Sequence, residues 1–151
     1  MPEHVRLQAL HERTGLPSNS RPPLRHVKHV LLAEDDPDTA TMIRAMLEER
    51  LPVTVDHVTN GALVLDQISA KHPDLVILDV AMPGLNGIDV FDLLRGSAAL
   101  VDVPVLFLTA MPDRAEHVAH VGIRDVMAKP FEADALVRRV DDLLARAAKV
   151  A

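Results

Sequence analysis

The feature that most constrains this chain is the run Asp74-Leu75-Val76-Ile77-Leu78-Asp79, continued by Val80-Ala81-Met82-Pro83-Gly84-Leu85-Asn86-Gly87. Aliphatic residues lead straight into one carboxylate, and Pro and Gly follow at once. A continuous apolar run bounded by turn residues reads as a strand buried on both faces, as in the middle of a parallel sheet. An acid at the carboxyl end of such a strand stands where open α/β sheets place their ligand sites. Asp79 is therefore the first candidate functional residue.

Other runs repeat this pattern. His29-Val30-Leu31-Leu32-Ala33 is a short apolar stretch ending in Glu34-Asp35-Asp36. It reads as a second buried strand with acids at its carboxyl end. Pro37 suits a first helical position and Asp36 its N-cap. Met42, Ile43, Met46, Leu47 and Leu51 give that helix its apolar spacing, and Pro52 closes it. Val53 to Val58 alternates in part and predicts an edge strand, and Ala62 to Ala70 a second helix ended by Lys71-His72-Pro73. Beyond Asp79, Ile88 to Leu94 predicts a helix with Val90, Phe91 and Leu94 inward. Val103 to Leu108 predicts a strand ending at Thr109-Ala110, and Asp113 to Val121 a short helix. Arg124 to Ala128 reads as a weaker fifth strand ending at Lys129-Pro130. Leu136, Val140, Leu143, Leu144 and Ala147 mark one stripe of a last helix, whose basic end at Arg146 and Lys149 suits the helix dipole. Five strands alternating with five helices predict a parallel sheet with helices on both faces and right-handed crossovers.

Composition narrows the chemistry. The 151 residues suit one domain, and an aromatic share of 2% makes its core aliphatic. The absence of cysteine excludes disulfides, thiolate metal sites and thiol catalysis. A net charge of −6 disfavours a nucleic-acid surface, because duplex binding relies on Lys and Arg. With no span-length apolar run and no signal-peptide core, a cytoplasmic protein without membrane contact is expected. Residues 1–28 are richer in His, Arg and Pro, and Pro17-Ser18-Asn19-Ser20 with Pro22-Pro23 reads as a linker. Glu3 to Arg13 would make at most a thinly apolar short helix. The expected organisation is a partly flexible N-terminal extension over 1–28 and a folded domain over 29–151.

In a parallel sheet, Glu34-Asp35, Asp79, Thr109 and Lys129 all fall at one edge. Clustered carboxylates repel unless a cation intervenes. Hard oxygen ligands suit Mg²⁺, which completes its shell with water and phosphate oxygens. A carboxylate nucleophile, a divalent metal and fixed positive charge are the needs of phosphoryl transfer.

Over roughly residues 28–150 the sequence resembles the receiver domain of bacterial two-component response regulators. The resemblance is carried by Leu31-Leu32-Ala33-Glu34-Asp35-Asp36-Pro37, the Asp79 stretch through Met82-Pro83-Gly84 and Gly87, Leu108-Thr109-Ala110, and Lys129-Pro130-Phe131. It implies a flavodoxin-like, doubly wound sheet of strand order 2-1-3-4-5. It also implies that Asp79 is the phosphoacceptor, served by a histidine kinase or a His-containing phosphotransfer protein. Asp35 resembles the direct ligand of Mg²⁺ (or Mn²⁺), and Glu34 acts mainly through water. The resemblance implies that Asp79 and the Ala81 backbone carbonyl complete the metal set. Thr109 resembles the switch hydroxyl and Lys129 the lysine that pairs with the phosphoryl group, with a cis bond to Pro130. Such a domain is a signalling module rather than an enzyme, with self-phosphorylation and self-dephosphorylation expected at Asp79.

The sequence departs from the family in several places. Val126 stands three residues before the lysine, where the family usually carries Tyr or Phe as a rotating switch. The stretch from Thr109 to Lys129 is slightly short. Ala81 and Met111 are non-polar at positions that tune water access in the family.

The expected output is a change in protein–protein interaction, through the surface of the Asp113–Val121 helix, the fifth strand and the last helix; a homodimer could form there. Direct DNA binding is not expected, because no such module follows the last helix. A constitutive docking or dimerisation module with a vestigial site is the alternative, favoured by Val126. A receiver fragment of a larger regulator or hybrid kinase is another. A metal-dependent phosphohydrolase is disfavoured by Ala81, where such enzymes usually carry a second acid. The pairs His26/His29 and His117/His120, and Arg138 with Arg139, read as solvated surface.

Overall fold

A computed structural model of the chain describes residues 27–82, 87–97, 102–110 and 125–150. Residues 1–26 of the expected N-terminal extension, the helix over Asp113–Val121, Pro83, Gly84, Met111, His26, His117 and His120 fall outside the described residues, and Lys28, expected in that extension, opens the first strand.

The described elements are β1 (Lys28–Ala33), α1 (Pro37–Arg50), β2 (Val53–Val58), α2 (Gly61–Ala70), β3 (Leu75–Asp79), α3 (Gly87–Arg95), β4 (Val105–Thr109), β5 (Val126–Ala128) and α4 (Ala133–Val150). The strands form one parallel sheet in the order β2-β1-β3-β4-β5. That is the expected flavodoxin-like arrangement. Helix α4 is the last helix of the sequence reading, and four of the five expected helices lie among the described residues.

The central strands explain why the sheet takes helices on both sides. Successive strand side chains point to opposite faces. Val30, Leu32, Leu75, Ile77, Leu106 and Leu108 pack on one face with Ile43 and Leu47 of α1 and Leu136 and Val140 of α4. Leu31, Ala33, Val76, Leu78, Val105 and Phe107 pack on the other with Val64 and Ile68 of α2 and Val90 and Phe91 of α3. Every residue of β3 and β4 is buried. Full burial of each such side chain contributes about 1.5–3 kcal/mol. No single-faced arrangement could cover both rows.

Local signals set the helix starts. Asp36 caps α1, with its carboxylate accepting from the Thr39 amide (3.3 Å), and Pro37 follows at the first turn. Asn60 caps α2 by accepting from the Ala62 amide (2.8 Å). Two details differ from the sequence reading. Met42 is 49% exposed, and Ala40 takes the inward place on α1 beside Ile43 and Leu47. Arg139 is half-buried rather than solvated, with Nη1 3.5 Å from Asp125 Oδ1.

Candidate phosphoryl-acceptor site

Strand order reverses between β1 and β3, because β2 lies on one side of this pair and β4 on the other. Ligands of doubly wound sheets bind in the crevice outside the strands at that point. Glu34 follows β1 directly, Asp79 ends β3, Thr109 ends β4 and Lys129 follows β5. The ladders continue to these ends: Ala33 lies beside Leu78, Asp79 beside Leu108, and Thr109 beside Ala128. The Lys129 amide donates to the Thr109 carbonyl (2.7 Å), and the Lys129–Pro130 bond is cis.

The edge concentrates charge in a dry place. Glu34 is 1% exposed, Asp79 6% and Thr109 3%. Asp35 is exposed. One carboxylate oxygen from each of Glu34, Asp35 and Asp79 lies within 4.8 Å of the others. Lys129 Nζ bridges the two buried acids, 2.8 Å from Glu34 Oε2 and 3.2 Å from Asp79 Oδ2. The other Asp79 oxygen accepts the Ala81 amide (3.1 Å). Both Asp79 oxygens are thus held, and the carboxylate is aimed by its own loop and by β5.

Burial pushes the Glu34 carboxyl up from its ordinary range, and the charge of Asp79 adds to this against the pull of Lys129. Burial alone would lower Lys129. Its bond to Glu34 and the charges of Asp79 and Glu34 outweigh that and raise it, so the ammonium is held charged. Among the described residues, Glu34 and Asp79 share this ammonium and the Asp35 carboxylate lies beside them, so acidic groups outnumber the basic one. An all-oxygen set with uncompensated negative charge fits a hard divalent cation better than any neutral ligand.

The backbone is tight against Asp79. A Cβ on Gly87 would come within 2.7 Å of the Asp79 carbonyl oxygen and 3.2 Å of Phe107 Cε1. Only glycine lets α3 start this close to the end of β3.

The model of the response regulator receiver domain family matches residues 30–141. The chain belongs to this family. A response-regulator receiver is a signalling domain. The receiver is 36% identical over 122 residues to the DNA-binding response regulator MtrA of Mycolicibacterium smegmatis, covering 79% of this chain and 51% of that protein. It spans about half the length of the curated relatives it matches. It superposes on the receiver domain of a signal transduction histidine kinase from Syntrophus aciditrophicus with a TM-score of 0.73 and 31% identity, covering 79% and 91% of the two chains. The receiver domain of the Pseudomonas aeruginosa sensor histidine kinase PA1611 has a magnesium ion coordinated in its active-site cleft. That neighbour is 28% identical, with a TM-score of 0.71, covering 79% of this chain and 98% of that one.

The receiver fold thus brings Glu34, Asp35, Asp79, Ala81, Thr109 and Lys129 to one edge, as their sequence positions anticipated. Val126 lies two residues before the end of β5. It pairs with Phe107 across β4 and β5 and packs partly buried against the core on that face. Phe107 meets Phe91 edge-on at 5.7 Å, and the Arg95 guanidinium sits 4.6 Å over the Phe91 ring. Sequence reasoning missed His57, whose Nε2–H donates to the Glu34 carbonyl oxygen (2.7 Å). Only the register that sets Leu32 beside His57 could have pointed to it. Among the described residues no helix is long and apolar enough to cross a membrane.

Proposed function

We propose that this receiver accepts a phosphoryl group on Asp79 from a histidine kinase or a His-containing phosphotransfer protein. The observation that carries this reading is the pair of buried acids, Glu34 and Asp79, bridged by one lysine beside exposed Asp35. The expected step is attack of an Asp79 carboxylate oxygen on phosphorus. The phosphorus–nitrogen bond to the donor imidazole breaks, the imidazole takes a proton, and an acyl phosphate forms. The same carboxylate could accept from a small acyl phosphate, and water would later reverse the modification.

Glu34, Asp35, Asp79 and the Ala81 carbonyl would hold Mg²⁺ or Mn²⁺, with Glu34 acting mainly through water. Bound there, the ion neutralises charge on the transferring phosphoryl oxygens. Lys129, already held charged, supplies the second positive group. Thr109 supplies a neutral donor at the end of the neighbouring strand. Removal of a chelatable ion should therefore stop labelling without unfolding the sheet, whose strands do not depend on it.

Phosphorylation is read as altering interaction with a protein partner. The face proposed for this contains β5 and α4, and a homodimer through it is one form of output. Val126 favours a second reading, a constitutive docking module, because an aliphatic side chain cannot swing as a ring does. Either form could belong to a longer regulator that reads DNA, given the relatives' names and lengths.

Beryllofluoride, a phosphoryl mimic, separates the two readings. With Mg²⁺ present it should shift amide resonances at Asp79, Thr109 and Lys129 and change partner affinity or self-association. Unaltered affinity alongside shifted site resonances would favour the constitutive module. Unshifted site resonances would remove the phosphoacceptor reading itself.

A further inference from the structure

The geometry points to His57 as a positioning residue that sets the direction of the Asp35 carboxylate toward a bound divalent cation. The inference rests on the phosphoacceptor reading, since it concerns how that site is aimed.

Glu34 is the last residue before the exposed acid, and it is fixed from three directions. Its amide donates to the Val58 carbonyl (3.1 Å), its carbonyl accepts from His57 Nε2–H (2.7 Å), and its carboxylate accepts from Lys129 (2.8 Å). Two of these three restraints come from adjacent residues at the end of β2. On the far side of Asp35, the Asp36 carboxylate is tied to Thr39 and the Asp36 carbonyl accepts the Ala40 amide (3.0 Å). Asp35 is therefore a single exposed link between two pinned residues.

The Glu34 carbonyl oxygen defines the plane of the Glu34–Asp35 peptide. Holding that oxygen fixes the direction in which the Asp35 Cα leaves β1. Metal ligands must be held within about 0.5 Å of their productive positions. The Lys129 bond restrains the Glu34 side chain but not this peptide plane, and the Val58 bond restrains only the plane before Glu34. His57 supplies the missing restraint. Its own position is set by the ladder, because β2 pairs with β1 from Lys28–Val53 to Ala33–Val58. A partly buried ring on the edge strand reaches across to a carbonyl just past the end of its neighbour.

The donor, rather than the ring, should matter. A glutamine amide nitrogen can stand where Nε2 stands, whereas leucine fills the space with no donor and asparagine is too short to reach. The test is a Mg²⁺ titration of the unphosphorylated protein, followed by amide resonances, with the melting temperature of each variant measured in EDTA. His57→Leu should weaken Mg²⁺ binding by roughly tenfold, the low end of the effect of losing an outer-sphere partner. His57→Gln should recover most of the affinity. Both should melt in EDTA close to the unsubstituted protein. His57→Asn, polar but out of reach, stands in for leucine if that variant does not fold.

Equal affinity in the unsubstituted protein and in His57→Leu or His57→Asn overturns the positioning role and leaves the metal site intact. Loss of affinity that glutamine does not restore also overturns it, because the ring's bulk would then be responsible. Failure of the unsubstituted protein to bind Mg²⁺ overturns the underlying site reading, and the role of His57 with it.

Discussion

The two ends of the sheet use similar residues and reach opposite outcomes. At the amino edge, Asp74 Oδ2 accepts the His29 amide (2.8 Å), and the Asp74 amide donates to the His29 carbonyl (2.8 Å). The His29 ring meets the Thr54 hydroxyl at 2.9 Å, and nearby Lys71 pairs with Asp56 at 3.6 Å in the open. Each carboxylate there has its own partner and water besides. At the carboxyl edge, Glu34 and Asp79 are buried and share Lys129, with Asp35 close by. Folding satisfies the first end and leaves the second carrying excess charge. That imbalance sits at the end of fully buried β3, and it is what the proposed ligand site would require.

The comparison can be broken by removing the cation at each end. Lys129→Met would strand two buried carboxylates and should cost roughly 3 kcal/mol in urea unfolding, somewhat eased by the partial exposure of the ammonium. Lys71→Met should stay within about 0.5 kcal/mol, as exposed pairs do. Equal costs would mean that Lys129 is no more than a surface charge.

Removing an acid should give opposite signs at the two ends. Asp79→Asn relieves the repulsion at the carboxyl edge and should stabilise the metal-free protein by roughly 1 kcal/mol. Asp74→Ala deletes an acceptor whose donor remains and should cost roughly 0.5–1 kcal/mol. Thermal melts in EDTA check both. Destabilisation by Asp79→Asn would contradict the picture of an uncompensated cluster.

The smallest effect is in the pH dependence. The folded Glu34 value lies above the ordinary 4.5, so the folded state holds that proton more tightly than the unfolded chain. Its contribution to stability is fully present below pH 4.5 and is lost as pH rises through the raised folded value. Lys129 is raised above 10.5, so its contribution is present below that pH and lost as pH rises through the folded value. In metal-free protein, Glu34→Gln should remove the acid-side loss, and Mg²⁺ should oppose it by favouring the ionised carboxylate. An acid-side slope unchanged by Glu34→Gln would show that another group titrates there.

Much of this was legible in the residues. Continuous aliphatic runs announced β1, β3 and β4, and their two-sided burial follows from alternation onto two helix layers. Asp36 before Pro37 marks the start of α1, and the spacing of Val90, Phe91 and Leu94 marks the inward face of α3. The shared edge of Asp79, Glu34, Asp35, Thr109 and Lys129 is readable because a parallel sheet delivers every strand end to one edge. Three features were not. Met42 fits a helical stripe yet lies in water, because exposing one apolar side chain on a helix costs little. Arg139 reaches Asp125 across a distance that local sequence does not encode. His57 gains its partner only from the β1–β2 register, which helical or strand periodicity does not specify.

The most direct measurement is transfer from acetyl phosphate with Mg²⁺, followed by intact-mass analysis and peptide mapping of the unsubstituted protein, Asp79→Ala and Asp74→Ala. One phosphoryl group should appear on the unsubstituted protein and on Asp74→Ala, mapped to Asp79, lost to alkali and to hydroxylamine, and absent with EDTA. Asp79→Ala should carry none. No incorporation into the unsubstituted protein, or equal incorporation into Asp79→Ala, would contradict the assignment of the carboxyl edge as the phosphoryl-acceptor site.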